Sequence, residues 1–233
     1  MITNLYNKNM QKLIKTFLLG FLAGASIALG GLLFTLLTNA GYKALPSFTF
    51  SIGLLLVCMF GFNLFTGKVG FFLEAEKKPK YLLDLLIMYV GNFAGALAIG
   101  YICFGFFSQN TYVTSTIHII SNAREITSSN WAITFLGAVG CGMLVYTAVY
   151  AFKKEWPLGI RVVVLMFAVF AFVLAGFQHC IANMFYISFA NDWSGLKLLN
   201  ILIVTFGNII GAILLESITM LIKLFSNEEK GHE

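Results

Sequence analysis

The sequence predicts an all-α membrane protein of six transmembrane helices, arranged as two inverted three-helix repeats in which spans 2 and 5 are broken. Of its 233 residues, 59% are hydrophobic and 11% are charged, whereas a soluble domain has roughly a quarter of its residues charged. Apolar runs long enough to cross a bilayer recur along the chain. A short motif and a nearby polar interruption also occur in both halves.

The apolar runs and the connections between them divide the chain in order. Residues 1–15 form a polar lead-in, and residues 226–233 form a solvated tail. The first repeat, residues 16–107, contains spans at 16–38, 47–73 and 81–107. A polar stretch, residues 108–130, leads to the second repeat, residues 131–225, with spans at 131–152, 157–190 and 196–225. The first apolar run is too long for the core of a signal peptide.

The distribution of basic residues predicts the orientation. One side of the membrane has nine lysines in the lead-in, two loops and the tail: Lys8, Lys12, Lys15, Lys77, Lys78, Lys80, Lys153, Lys154 and Lys230. The opposite side has Lys43, Arg124 and Lys197. Positive residues accumulate in cytoplasmic loops, so both termini are expected in the cytoplasm of a cell whose plasma membrane holds the protein. No basic patch is interleaved with aromatic residues, so lipid and not nucleic acid is the expected surrounding partner.

The motif G-N-x-x-G-A occurs at residues 91–96 in span 3 and at 207–212 in span 6. Because each repeat has three spans, an odd number, the second repeat must start from the opposite side of the membrane. Inverted repeats of this kind place binding sites at the bilayer midplane. For the glycine pairs themselves, close helix packing is the preferred interpretation.

The interruptions lie in the span that precedes each motif, at residues 63–67 and 176–180. Irregular backbone at membrane depth is tolerated only where protein or a wet cavity surrounds it. The second interruption contains His179, and an ionisable residue inside the membrane indicates a functional site. A histidine that only links helices is the alternative, but the matching interruption around Thr66 favours a transport site.

Other functional classes have little support in the sequence. The four cysteines, Cys58, Cys103, Cys141 and Cys180, lie in apolar stretches without C-x-x-C spacing, as buried hydrophobic residues do. The histidines are His118, His179 and His232, with no spacing that suits zinc or haem. We therefore expect no metal, no cofactor, no catalytic residue and no enzymatic activity. A structural or receptor-like bundle stays an alternative.

Two segments resemble the signatures of the formate/nitrite transporter family, which includes hydrosulfide channels and lactate carriers. Residues 64–67 read L-F-T-G, and residues 177–185 read F-Q-H-C-I-A-N-M-F. The two G-N-x-x-G segments and residues 140–145 of span 4 also resemble the family. This resemblance implies an aquaporin-like helical fold and a homopentamer in which each protomer has its own pore.

The resemblance also implies roles for individual residues. His179 would be the central pore histidine, with Thr66 facing it. Leu64 and Leu54 would form a cytoplasmic constriction, and an extracellular constriction would consist of Phe50 and Phe172.

Further polar residues are implicated in the same way. Asn92 and Asn208 would anchor the core of the repeats, and Asn183 belongs to the histidine motif of the pore. Arg124 lies near the position of a family residue that attracts anions. Lys68 follows the first interruption, where it either raises the local anion concentration at the inner mouth or pairs with an acid.

These features predict a channel for small monovalent anions of weak acids, namely formate, nitrite or hydrosulfide, with His179 coupling transport to protons. Half-helix N-termini are a second device that could stabilise the anion. The alternative is an aquaporin-like channel for water or small neutral solutes, although the sequence has no N-P-A tripeptide. Asn63, Gln178 and Gly142 depart from the family pattern, which has acids at the first two positions.

Two acids in the apolar segments need a separate explanation. Glu216 and Asp84 lie toward the cytoplasmic ends of spans 6 and 3. We expect them to reach the interface by snorkelling or to pair with a neighbouring helix.

Overall fold

The computed structural model describes the backbone of residues 2–230 and the side chains of residues 9–226. Its helices are α1 Ile2–Asn39, α2 Leu45–Met59, α3 Phe65–Lys68, α4 Lys78–Phe107, α5 Thr111–Asn122, α6 Trp131–Phe152, α7 Leu158–Leu174, α8 Cys180–Ala190 and α9 Gly195–Lys230. A 3₁₀ turn, Gly70–Phe72, follows α3. The expectation of an all-helical protein is confirmed for the described residues, which include no strand.

Four helical stretches within the described residues are long and apolar enough to cross a membrane: Asn9–Asn39, Lys78–Phe107, Trp131–Phe152 and Gly195–Ser226. The segments predicted as spans 2 and 5 are each divided into two shorter helices, α2 with α3 and α7 with α8. In both segments a non-helical stretch therefore separates a longer helix from a shorter one.

Both divided segments end their first helix in the same way. Gly61 and Gly176 have φ values of 68° and 73°, a left-handed conformation that glycine adopts without a Cβ clash. The next residues, Phe62 and Phe177, each donate a backbone N–H to a carbonyl five residues earlier at 2.9 Å. These are Schellman motifs, which stop the helix and turn the chain.

The short helices α3 and α8 also begin in matching ways. Their N-caps, Leu64 and His179, have extended backbones with φ/ψ of −89°/123° and −108°/123°. The positional counterpart of His179 is therefore Leu64. The sequence analysis matched the interruption around Thr66 with the one around His179, and the cap geometry shows that Leu64, not Thr66, holds the position equivalent to His179.

Asn92 of α4 holds the first break. Its Oδ1 accepts the backbone N–H of Phe65 at 2.8 Å, and its Nδ2 donates to the carbonyl oxygens of Gly20 and Asn63, both at 2.8 Å. The side chain is fully buried. It thus satisfies the first N–H of α3, which has no partner within its own helix.

Asn208 of α9 makes the same set of contacts at the second break. Its Oδ1 accepts the N–H of Cys180 at 3.0 Å, and its Nδ2 donates to the carbonyls of Ala138 at 2.8 Å and Gln178 at 3.0 Å. Equivalent side chains on α4 and α9 therefore connect each break to two long helices.

The glycines of the two G-N-x-x-G motifs bring the long helices close together. A Cβ on Gly95 would overlap the carbonyl oxygen of Phe21 in α1, and a Cβ on Gly211 would overlap that of Val139 in α6. Close packing of α1 with α4 and of α6 with α9 thus depends on residues without side chains.

The structure differs from the sequence expectation outside the spans. The stretch 108–130, expected to be a polar connection, contains the helix α5, capped by Asn110, whose side chain accepts the N–H of Val113 at 3.2 Å. The apolar residues at 113, 117 and 120 lie on one buried face of α5. Their helical spacing was not recognised in the sequence because the stretch is mostly polar.

The ends of the chain also differ. α1 begins at Ile2 and includes the lead-in, and α9 continues through Lys230 into the expected tail. Side-chain positions of Lys8 and Lys230, and all of residues 231–233, lie outside the described residues.

The two acids considered from the sequence are both paired. Asp84 accepts a hydrogen bond from Lys12 of α1 at 2.5 Å. Glu216 is fully buried and accepts a hydrogen bond from the hydroxyl of Tyr146 in α6. Pairing between helices, and not snorkelling, therefore explains the position of Glu216.

Candidate pore and anion-binding cavities

Three cavities follow one another through the protein. The outer cavity has a volume of about 340 Å³, the central cavity about 10 Å³ and the inner cavity about 210 Å³. Phe50, Phe172 and His179 line both the outer and the central cavity, and Leu64 lines both the central and the inner cavity. The shared residues make the three cavities neighbours, with the smallest of them in the middle.

The central cavity is almost entirely apolar. Seven of its eight lining residues are hydrophobic: Ile27, Phe50, Leu54, Leu64, Val145, Val169 and Phe172. The rings of Phe50 and Phe172 meet edge to face, with 6.1 Å between centroids. A space of this size holds about one water molecule. An ion without a partner would therefore be costly here.

His179 is the single polar residue that lines the central cavity. Its Nδ1 accepts the backbone N–H of Ala182 at 3.3 Å, so the side chain caps α8. Its Nε2 lies 2.7 Å from Oγ1 of Thr66. Because Nδ1 accepts, these hydrogen bonds assign a neutral ring whose proton is on Nε2 and is donated to Thr66.

Thr66 acts on the cavity through His179. It is fully buried in α3 and is not among the residues that line the central cavity. The two side chains come from sequence positions 113 residues apart and contact each other directly. Thr66 therefore orients the imidazole.

Three backbone N–H groups at the starts of the short helices already have side-chain acceptors. Asn92 and Asn208 accept those of Phe65 and Cys180, and His179 accepts that of Ala182. This occupancy weighs against direct presentation of these N–H groups to an anion.

Arg124 lines the outer cavity. Its Nε donates to Oδ1 of Asn183 at 3.2 Å, Nη1 donates to the carbonyl of Ile120, and the guanidinium lies 4.7 Å from the ring centroid of Tyr186. No carboxylate within residues 9–226 is within 4.0 Å of it. Burial lowers the pKa of Arg124 from its usual value, as expected for a cation without a compensating charge.

Neutral amides fix the position of Arg124. Asn183 donates to Oε1 of Gln178 and to Oδ1 of Asn200, both at 2.8 Å, and Asn200 donates to the same Gln178 oxygen at 2.9 Å. This network ties Arg124 to α8 and α9. Asn183, assigned to the pore from its motif, lines the outer cavity beside this cation.

Two lysines line the inner cavity. Nζ of Lys68 donates to Oδ1 of Asn63 at 2.5 Å. Nζ of Lys153 lies 3.4 Å from the centroid of the Phe71 ring. Of the two readings of Lys68 left open by the sequence, pairing with an acid does not occur among the described side chains. The place of Lys68 in the lining of the inner cavity fits the other alternative, a raised local concentration of anions.

Sequence reasoning missed several residues of these cavities. Asn200 is a fully buried amide. An asparagine in the apolar run of span 6 was a weaker sequence signal than the histidine motif. Lys153 was used only to orient the chain, and its place at the inner cavity depends on how α6 packs on α3. Among the described residues, no cluster of three or more His, Cys, Asp or Glu side chains is arranged to hold a metal.

Comparison with known proteins places the chain beside anion transporters. Residues 1–222 match the family model described as formate/nitrite transporter. A probable formate transporter of Methanothermobacter thermautotrophicus is 33% identical, with 88% of this chain and 86% of the relative covered. A formate channel of Bacillus thuringiensis is 31% identical, with 88% and 85% covered.

A solved structure has the same arrangement of helices. It is described as a pentameric formate channel with formate bound, and it superposes with a TM-score of 0.79 at 26% sequence identity. The superposition covers 92% of this chain and 98% of that channel.

Proposed function

The chain belongs to the formate/nitrite transporter family, and from this premise we propose that it conducts small monovalent anions of weak acids, formate first, with nitrite and hydrosulfide as further substrates. It is an integral membrane protein of a family of channels and transporters. One observation carries the proposal: a single histidine lies in a narrow apolar cavity between two wider cavities whose lining cations lack carboxylate partners.

The proposed path begins in the outer cavity, where the charge of Arg124 raises the local concentration of anions. Water is then lost between Phe50 and Phe172. In the central cavity, the Nε2–H group of His179 breaks its hydrogen bond to Thr66 and donates a hydrogen bond to the anion instead. A proton from the outer solution converts the anion to its neutral acid, which passes Leu64 without the cost of a bare charge and releases the proton to the inner solution.

This path makes flux depend on pH. The fraction of anions that gain a proton rises as the outer solution becomes more acidic, so we expect formate flux to increase with falling pH.

We also propose the finer architecture on the same basis. The matching breaks, caps and asparagine contacts support six spans in two inverted repeats, residues 16–107 and 131–225, within one channel domain. The lysine-rich loops support cytoplasmic termini, a cytoplasmic lead-in and tail, and a plasma-membrane location. Impermeant thiol labelling of single cysteines placed at Lys80 and Lys43 tests the orientation, since only the latter should react from outside.

Stopped-flow uptake into proteoliposomes tests the function. Formate, nitrite and hydrosulfide should each enter faster than into protein-free liposomes, and formate uptake should accelerate from pH 8 to pH 5.5. Water flux without anion flux would instead support the neutral-solute channel.

Variants of the histidine pair test the mechanism. His179→Phe should change the selectivity or the pH profile of flux, and His179→Asn, which keeps a side chain able to cap α8, guards against misfolding. Thr66→Val should reduce the rate about tenfold by leaving Nε2 without a partner, whereas Thr66→Ser should retain it. An unchanged pH profile in both histidine variants would remove His179 from the proton step.

A further inference from the structure

The inner cavity contains two ammonium groups that are held in place by neutral partners. Lys68 donates to the amide oxygen of Asn63 at 2.5 Å, and Lys153 lies on the face of Phe71 at 3.4 Å. Both side chains line the same cavity of about 210 Å³. Their positions are thus defined while their charges stay uncompensated.

Three other lysines of the protein differ from this pair. Lys12, Lys197 and Lys223 each have a carboxylate partner within 4.0 Å. Among residues 9–226, no carboxylate comes that close to Lys68 or Lys153.

Glu74, the acid whose charge acts on Lys153, is engaged elsewhere. Glu74 forms an ion pair with Lys223 at 2.8 Å. The hydrogen bond from Lys223 lowers the pKa of Glu74. Partial burial lowers the pKa of Lys153, and the charge of Glu74 raises it by a smaller amount.

The rest of the cavity wall is apolar and indicates the kind of ligand. Val57, Phe62, Leu64, Val149 and Phe152 line it. A strongly hydrated inorganic dianion would lose water against these side chains without replacement. An anion with one carboxylate would leave one ammonium uncompensated. A short carbon chain with a carboxylate at each end matches both the two charges and the apolar wall.

We propose that Lys68 and Lys153 form a binding site for small dicarboxylates at the inner mouth, and that an occupied site blocks the pore. A dianion cannot continue past Leu64 into a cavity of about 10 Å³, so it stays where it binds. The assignment of this mouth to the cytoplasm rests on the proposed function and orientation.

Asn63 decides whether the site exists. Its amide oxygen fixes Lys68 without neutralising it. A carboxylate at the same position would form an ion pair with Lys68 through the same contact and would repel an incoming dianion. Asn63→Asp therefore removes the site while both lysines remain.

Calorimetric titration of the full-length protein in detergent tests binding without any assumption about orientation. Succinate should bind, and formate and inorganic phosphate should bind at least about tenfold more weakly. Asn63→Asp and Lys68→Met should each weaken succinate binding by about tenfold or more, the range for loss of a charged hydrogen bond. Lys154→Met is the matched control, because Lys154 donates to the hydroxyl of Tyr150 at 2.9 Å and does not line the cavity.

Formate flux in membrane vesicles tests the block. Succinate should inhibit flux in inside-out vesicles and not in right-side-out vesicles, and Asn63→Asp should abolish the inhibition. Absence of succinate binding, equal binding of phosphate, or inhibition that persists in Asn63→Asp would overturn the proposal. Succinate binding in a protein that conducts no formate would overturn the proposed function and leave the site standing.

Discussion

At the scale of single residues, the two breaks use the same backbone positions for different chemistry. Leu64 and His179 occupy equivalent caps, so one half contributes an apolar wall and the other a hydrogen-bonding ring. The preceding residues, Asn63 and Gln178, each accept a hydrogen bond from a side chain five residues later, Lys68 and Asn183. Because both acceptors are neutral amides, neither of them offsets the positive charge of the cation beside it.

A negative charge introduced at Gln178 should offset part of the positive charge of Arg124. In Gln178→Glu, the carboxylate keeps the acceptor role toward Asn183 and Asn200 but places a negative charge in the cavity of Arg124. We expect formate uptake at pH 7.5 to fall about tenfold, since a like charge at this range costs on the order of 1–2 kcal/mol. The deficit should shrink as pH falls and the carboxyl takes up a proton.

Uptake by proteoliposomes across pH 5.5–8 measures this change, and Gln178→Met serves as the uncharged control that also loses the amide. If Gln178→Glu and Gln178→Met behave alike at every pH, the charge of the outer cavity does not govern anion uptake.

At the scale of helices, the breaks exist because distant elements satisfy what the local chain cannot. A glycine ends each first helix, and an asparagine on a later helix accepts the first N–H of the next one. The short helix α8 packs against α1 and α4 of the first half, and α3 packs against α6. Because each short helix packs against helices of the other half, Thr66 of α3 contacts His179 at the start of α8.

Gly142 is the point at which α6 meets the asparagine of the second break. A Cβ there would overlap the backbone carbonyl oxygen of Asn208, so α6 and α9 would have to separate. We expect Gly142→Ala to destabilise the protein by about 1–3 kcal/mol and to slow flux, because Asn208 would shift relative to Cys180. Thermal unfolding in detergent measures the first effect.

Gly105 provides a matched control for this substitution. It lies in α4, and a Cβ on it would meet no atom within 4 Å. Gly105→Ala should leave the unfolding temperature unchanged or slightly raised, since alanine is the better helix former. Equal loss of stability in the two variants would show that close packing at Gly142 is not the cause.

At the scale of the whole molecule, apolar side chains cover much of the outside, while Arg124, Lys68 and Lys153 line the outer and inner cavities. Large exposed hydrophobic residues occur along α4, α6, α7 and α9, among them Phe106, Ile133 and Leu136. Such a surface suits lipid and neighbouring protomers. All three cavities lie within one chain.

We predict that five copies of the chain assemble. The solved formate channel that shares this fold is described as pentameric, and the exposed apolar faces supply the contact surface. Native mass spectrometry from mild detergent should give a mass of five chains. A monomer that conducts formate at the rate expected per chain would contradict the need for assembly.

Several features followed from the sequence because they depend on composition and local pattern. The all-helical membrane fold and the family resemblance are confirmed, and the breaks lie where polar and glycine residues interrupt apolar runs. Helix α5 was missed because its three buried apolar residues, Val113, Ile117 and Ile120, are a weak periodic signal in a polar stretch. Contacts between residues far apart in the chain, such as Lys153 with Phe71, have no local signal at all.

The sequence alone determined that lipid surrounds this protein and where its helices are broken, because hydropathy and glycine conformation act over a few neighbouring residues. Tertiary structure decided which side chains the breaks bring together. Only packing places Thr66 against His179, aligns Leu64 with His179 as equivalent caps, and leaves Arg124, Lys68 and Lys153 beside neutral partners. Whether a charge is compensated depends on distances in space, so the uncompensated cations of the outer and inner cavities could be recognised only in the folded chain.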